Sequence, residues 1–309
     1  MARTVLPALL LSAPLAAQER PKPAPPVFPA GLEVVNLTVT VRDRAGDLVT
    51  DLGPEDFVVL ENGRPQAIQV FGRVHEPGQD ETMALDLGLL MDTSASMLKE
   101  LKLSQQAAVR FLEAIPRARD LLTIFFDHDI QISRYDSEQQ QGLIERIHSL
   151  KGGGNTALYD AITVYLSRVQ EGTGRKVLVL FTDGEDSISE VSLSEVIQMV
   201  RGSSVTIYPI AFTGGSPRGS PRGLVAKAFL MQLAEISGGA VFTPTGSRDL
   251  PGIYDKILEE LSAQYVLGFV SDDPRRDGKF RKLKVEVRRR GCKIRHRAGY
   301  HAPSERERR

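Results

Sequence analysis

Leu85-Asp86-Leu87-Gly88-Leu89-Leu90-Met91-Asp92-Thr93-Ser94-Ala95-Ser96 sets the expected architecture of this 309-residue chain. Its first part, 85–91, is apolar enough for a strand covered on both faces. It stops at a run of carboxyl and hydroxyl side chains. In open α/β sheets, ligands bind outside the carboxyl ends of the strands, where the strand order reverses.

Downstream of this segment the pattern alternates. Residues 98–115 read as an amphipathic helix and 121–126 as a strand, with 130–134 able to pair antiparallel to it. Helices follow at 138–150 and 157–170, then a nearly continuous apolar strand at 176–182. Segments 191–201, 205–212, 224–237, 240–243 and 250–262 continue the alternation, and 264–270 closes it. This order predicts an α/β fold with one doubly wound, mostly parallel sheet. The Gly-, Ser-, Pro- and Arg-rich run 214–222 reads as a flexible surface loop.

On both sides the period changes to two. Upstream, Leu37, Val39 and Val41 alternate with Thr38 and Thr40, and Asn62-Gly63 separates the runs 57–60 and 67–71 as a hairpin turn. Downstream, Leu283, Val285 and Val287 alternate with Lys284 and Glu286. Neither segment is long enough to stand alone. They are therefore expected to pair as a small β-sandwich flanking the α/β domain, which would be an insertion within it. The domain plan is a signal peptide at 1–17, a Pro-rich linker at 18–30, a β segment at 31–76, the α/β domain at 84–271, a second β segment at 272–303 and a tail at 304–309.

Arg3, the apolar run 5–11 and Ala16-Ala17 have the order of an export signal, too short to span a bilayer as a mature helix. The expected location is secreted or periplasmic, with no transmembrane segment in the mature chain. No Cys follows the cleavage zone to carry a lipid anchor, and Cys292, the only cysteine, excludes an intrachain disulfide. The zero formal net charge hides an asymmetry: residues 274–309 hold 15 Lys/Arg against 4 Asp/Glu. That end reads as a solvated strand face and tail, and no nucleic-acid partner is expected; a polyanion contact would be lost in moderate salt.

Three loops carry candidate ligand oxygens: Asp92-Thr93-Ser94-Ala95-Ser96, Gly152-Gly153-Gly154-Asn155-Thr156, and Thr182-Asp183-Gly184. Taken singly, such Ser, Thr and Asp residues more often cap helices or shape turns. Taken together, Asp92, Ser94, Ser96, Thr156 and Asp183 closely resemble the metal-ion-dependent adhesion site (MIDAS) of von Willebrand factor type A (VWA) domains, an Asp-x-Ser-x-Ser motif with a distant Thr and a distant Asp. The resemblance covers about residues 85–270 and implies a Rossmann-like fold. It also implies that Ser94, Ser96 and Thr156 reach a divalent ion by their hydroxyls, with Asp92 and Asp183 close by, directly or through water. Mg²⁺ suits this oxygen set, being hard, octahedral and ready to keep waters, and Mn²⁺ or Ca²⁺ would fit it too. With few direct anionic ligands the ion stays electrophilic, so the family's logic is completion of its shell by an Asp or Glu of a protein partner. The flanks, with Asp56-Phe57-Val58-Val59-Leu60-Glu61-Asn62-Gly63 and Tyr265-Val266-Leu267-Gly268-Phe269, resemble a bacterial VWFA-related family often labelled acidobacterial.

Other candidates weigh less. Asp127-His128-Asp129 could add a metal ligand or partner contact but reads rather as a polar hairpin tip, Glu185, Asp186 and Ser187 read as solvated loop residues at the rim, and Asp160 as a carboxylate suited to its helix dipole. His75, His148 and His296 lack neighbouring ligand pairs for zinc. No His is marked as a base for Ser94 or Ser96, and Gly152-Gly153-Gly154 lacks the Lys of a phosphate loop. The function expected is a secreted, non-enzymatic, metal-dependent protein-binding or cell-adhesion module. The alternative is an assembly scaffold with a fold-stabilising metal, and a metal-assisted hydrolase comes last.

Overall fold

The computed structural model of the chain describes residues 34–74, 84–115, 118–136, 138–169, 174–212, 220–246 and 248–304. The expected signal peptide, the linker, most of the 214–222 loop, His75 and residues 305–309 lie outside them.

The chain enters on β1 (Val34–Arg42), where Val35, Leu37, Val39 and Val41 are buried. After β2 (Phe57–Glu61) it turns through Asn62 and Gly63, both at positive φ (48° and 82°), the two-residue turn whose twist matches a hairpin. The returning strand, β3 (Arg64–Gln66), pairs with β2 but is short. The expected second run of the hairpin at 67–71 departs from it. Residues 67–69 cross over, and β4 (Val70–Arg73) joins the opposite sheet beside the strand at 265–270. The crossing brings Phe71 within 6.0 Å of both Phe57 and Tyr265, so the run serves the core better by changing sheets.

The α/β part follows. It contains β5 (Leu85–Asp92), α1 (Leu101–Ala114), β6 (Asp120–Phe126), β7 (Ile130–Tyr135), α2 (Gln140–Ser149), α3 (Leu158–Arg168), β8 (Arg175–Thr182), α4 (Leu193–Gly202), β9 (Val205–Ala211), α5 (Pro221–Ser237) and α6 (Leu250–Ser262). The sheet order is β7-β6-β5-β8-β9, parallel throughout except for β7. Every residue of β5 and β8 is buried, because helices cover both faces. Leu112, Leu143 and Ile257 of α1, α2 and α6 pack on one face, and Leu158, Val196 and Leu233 of α3, α4 and α5 on the other. Since β6 lies on one side of β5 and β8 on the other, the winding reverses at β5. The loops leaving β5 and β8 therefore open a crevice at the carboxyl edge.

The chain closes with β10 (Tyr265–Val270), β11 (Phe280–Val287), β12 (Lys293–Arg295) and β13 (Gly299–His301). Two antiparallel sheets result, β12-β1-β10-β4 and β13-β11-β2-β3. Terminal segments pair directly, Val41 opposite Ile294 and Val59 opposite Val285, around a core of Leu37, Phe57, Tyr265, Phe269 and Leu283. Two expectations need correction. The segment 264–270 does not close the parallel sheet: β10 pairs antiparallel with β1 and β4, and the Tyr265 hydroxyl donates to the Val49 carbonyl in the sandwich core. An apolar run fits either sheet, so alternation alone cannot assign it. Residues 240–243 form no strand, only a single bridge from Phe242 to Ile210 at the edge of β9.

Candidate metal centre

Asp92 is the last residue of β5, fully buried at the crevice. Its carboxylate is held from two sides: the Ser94 backbone N–H donates to Oδ1 at 3.0 Å, and the Thr182 hydroxyl donates to Oδ2 at 2.6 Å. Thr182 ends β8 and in turn accepts from the Gly184 N–H at 3.0 Å, so the carboxyl ends of neighbouring parallel strands are tied together through Asp92. Beyond Asp92 the chain makes a short 3₁₀ turn, Ala95–Met97. The turn sets the Ser94 and Ser96 hydroxyl oxygens 3.1 Å apart.

Backbone bonds dock the Gly-rich loop against this turn: the Gly153 N–H donates to the Thr93 carbonyl at 2.8 Å and the Ala95 N–H to the Gly154 carbonyl at 3.0 Å. Gly154 holds φ of +74°, and a Cβ there would stand 2.5 Å from the His128 ring, so the loop needs glycine on both counts. Thr156 follows, buried, with its N–H on the Ser187 hydroxyl at 2.9 Å and its carbonyl accepting from the Ser187 N–H at 2.9 Å. Asp183 leads out of β8; its Oδ1 accepts from the Glu185 N–H at 3.0 Å, and the Ser96 hydroxyl is a further partner of the carboxylate.

Asp92, Ser94, Thr156 and Asp183 are at most 8% exposed, and Ser96 is half-buried. Burial pushes the Asp92 carboxyl up to about 7, against hydrogen bonds from Ser94 and Thr182, and the Asp183 charge pushes it the same way. Burial also raises Asp183, with Glu185 adding to it. Both carboxylates thus feel negative neighbours. Asp183 Oδ2 is among the buried side-chain atoms without a hydrogen-bond partner, and it is the one that belongs to these five residues. Two buried acids, paired hydroxyls and an orphaned carboxylate oxygen form a donor set that fits a hard divalent cation.

Several contributors carry weight that the sequence does not announce. Thr182 anchors Asp92, a role any strand-terminal threonine leaves unmarked. Asp160 does more than suit a helix dipole: its carboxylate accepts from the Glu190 and Val191 N–H groups at 3.0 and 2.9 Å, which ties down the loop after β8. Asp186 and Ser187 bind that loop back to α3 and Thr156. Asp127-His128-Asp129 is a hairpin tip between β6 and β7, closed by the Asp129 N–H on Asp127 Oδ1 at 2.8 Å.

The profile of the von Willebrand factor type A domain matches residues 86–256, more than half of the chain, and the chain belongs to that family. Among solved structures it is similar to a von Willebrand factor type A protein from Catenulispora acidiphila, at 12% identity over 90% of this chain and 76% of that one, with a TM-score of 0.49. It is similar to the open conformation of the pilus adhesin SpaC from Lactobacillus rhamnosus GG, at 8% identity over 80% and 48%, TM-score 0.50. A third likeness is to proximal thread matrix protein 1 of the mussel byssus with a zinc-occupied MIDAS motif, at 17% identity over 62% and 48%, TM-score 0.48. The chain spans about half the length of the last two. No curated protein matches it.

Proposed function

We propose that this protein is a metal-dependent protein-binding module, in which Asp92, Ser94, Ser96, Thr156 and Asp183 hold a divalent cation, Mg²⁺ in the first instance, and an Asp or Glu of a partner protein completes its coordination. The observation that carries the reading is Asp183 Oδ2, a buried carboxylate oxygen without a partner beside a second buried acid. Leaving one oxygen of a buried carboxylate without a donor is costly even when the other is hydrogen-bonded, and a bound cation removes that cost. When bound, the ion supplies a Lewis-acid centre for an incoming carboxylate. The chain supplies rigidity: Thr182 and the Ser94 N–H fix Asp92, while the Gly-rich loop and Ser187 fix Thr156. In this reading both site carboxylates, Asp92 and Asp183, serve to hold the ion, and the role is binding without turnover.

The export-like opening sequence supports a location outside the cytoplasm, and no helix among the described residues is long and apolar enough to cross a membrane. The flanking motifs support placement in the acidobacterial-type VWFA-related group. Affinity capture from the native envelope, with Mg²⁺ or with chelator, tests the reading. Partners retained only with Mg²⁺, and lost for both Asp92→Ala and Asp183→Ala, are the expected result; capture unchanged by chelator and by both variants refutes it.

A further inference from the structure

The described residues include six large apolar side chains that are strongly exposed, between 39% and 61%: Leu98, Ile188, Leu193, Leu224, Val225 and Met231. Single exposed apolar residues are ordinary; their distribution here is not even. Five of the six lie at the carboxyl edge of the parallel sheet, in the loops after β5 and β8 or the first turns of α4 and α5. Leu98 lies over the Gly-rich loop, where a Cβ on Gly152 would meet its Cδ2 at 2.9 Å. Ile188 donates its N–H to the Thr156 carbonyl at 3.2 Å. Val225 lines a hollow of about 660 Å³ that opens directly onto Ser96, Thr156 and Gly184.

That hollow has an apolar wall of Tyr159, Pro221, Val225 and Ala226, with Arg222 at its edge. Tyr159 is braced edge-on by Phe229 at 4.9 Å, so the wall is rigid. The volume takes one or two large side chains next to the carboxylate site. Arg222 shares the lining with Glu185 and Asp186, so attraction for an anionic segment there would come from a bound cation rather than from the side chains.

We infer that the partner is recognised as a short segment in which the acidic residue is flanked by large apolar side chains, one in the Tyr159–Val225 hollow and one against Leu98. This rests on the metal-binding reading above. The carboxylate supplies attachment to the ion, which any acidic surface could offer. The apolar rim supplies discrimination, since burying an aromatic or leucine side chain gains more than enough to separate it from glycine.

Immobilised peptides with a fixed central Asp or Glu, flanked by Gly, Leu, Phe or Lys, are probed with the full chain in millimolar Mg²⁺ and in chelator, alongside calorimetry of Mg²⁺ alone. Leu- and Phe-flanked acidic peptides are expected to retain at least about tenfold more protein than Gly-flanked ones. The preference should vanish in chelator, and V225S and L98S should bring it down to the glycine level. Mg²⁺-dependent capture that is indifferent to the flanks, or strongest with Lys, overturns the apolar rim and leaves the metal site standing. Mg²⁺ binding with no peptide captured also overturns it, as does apolar preference persisting in chelator. Absence of both a Mg²⁺ heat and a Mg²⁺-induced rise in melting temperature sinks the metal reading and this inference together.

Discussion

At the scale of single residues, two buried carboxylates set the energetics of the site. Asp92 is satisfied by Ser94 and Thr182, while Asp183 keeps one oxygen unused. Replacing Asp183 by Asn keeps the shape and removes a charge. In chelator, D183N is expected to melt no lower than the native protein, because a buried charge is replaced by a neutral amide of the same shape. At a Mg²⁺ concentration about a hundred times its dissociation constant, the native protein should gain about 2.7 kcal/mol and D183N little. Differential scanning calorimetry with and without Mg²⁺ reads both; equal metal-induced gains would contradict the assignment. His296 offers a second test, far from the metal loops. Its Nε2 accepts from the Val285 N–H at 3.1 Å and its Nδ1 faces the Arg297 carbonyl at 2.7 Å, which requires the neutral ring. Burial depresses it below its ordinary value of 6.5. Between the folded and unfolded values the unfolded chain binds the additional proton, so stability falls as pH drops below about 6.5. Denaturant melts of the native protein and H296Q across that range should show a shallower loss in the variant; parallel curves would exclude His296.

At the scale of elements, the close approach of α3 to the sheet depends on one missing side chain. A Cβ on Gly88, in the middle of β5, would stand 2.2 Å from the Tyr165 ring. Gly88→Ala should therefore push α3 outward and destabilise by about 1–3 kcal/mol, read as a lower midpoint in urea. An unchanged midpoint would mean that Tyr165 has room to rotate. Legibility in the sequence divides along the same physical line. The buried strands β5 and β8 and the amphipathic helices announce themselves by period, and the turn at Asn62 and Gly63 by its positive φ values. Partnership between strands is not written locally. The segment 265–270 is apolar enough for either sheet, and 67–71 changes sheets because Phe71 finds a ring partner across the sandwich. The five candidate ligand residues are readable because their spacing is a motif. Thr182, Asp160 and Ser187 are not, since their roles arise only when loops distant in sequence meet.

At the scale of the whole molecule, the sandwich and the α/β layer are joined by buried charge. Glu260, near the end of α6, is 1% exposed and accepts from the Tyr208 hydroxyl at 2.8 Å and from Arg42 at 3.1 Å, with Arg295 as a third partner. Since Arg42 lies on β1, Arg295 on β12 and Tyr208 on β9, one carboxylate ties the β12-β1-β10-β4 sheet to the edge of the parallel sheet. Glu260→Ala strands two arginines that are each about one-third exposed, so the cost expected in equilibrium unfolding is about 2–4 kcal/mol, discounted for solvent screening. A change under about 0.5 kcal/mol would mean that the arginines relax into water. Because β2 pairs with β11, truncation after Ser271 should also expose residues 34–74 to limited proteolysis, and unchanged protection there would refute the dependence. Partner binding depends on a cation meeting side chains from the loops after β5 and β8 and from the Gly-rich loop. The most direct measurement is an anomalous difference map from a crystal soaked in Mn²⁺. A peak at coordination distance, roughly 2.0–2.3 Å, from the Ser94 and Ser96 hydroxyls and beside Thr156 and Asp183 is the result predicted. No peak there, or one only at Asp127, His128 and Asp129, would contradict it.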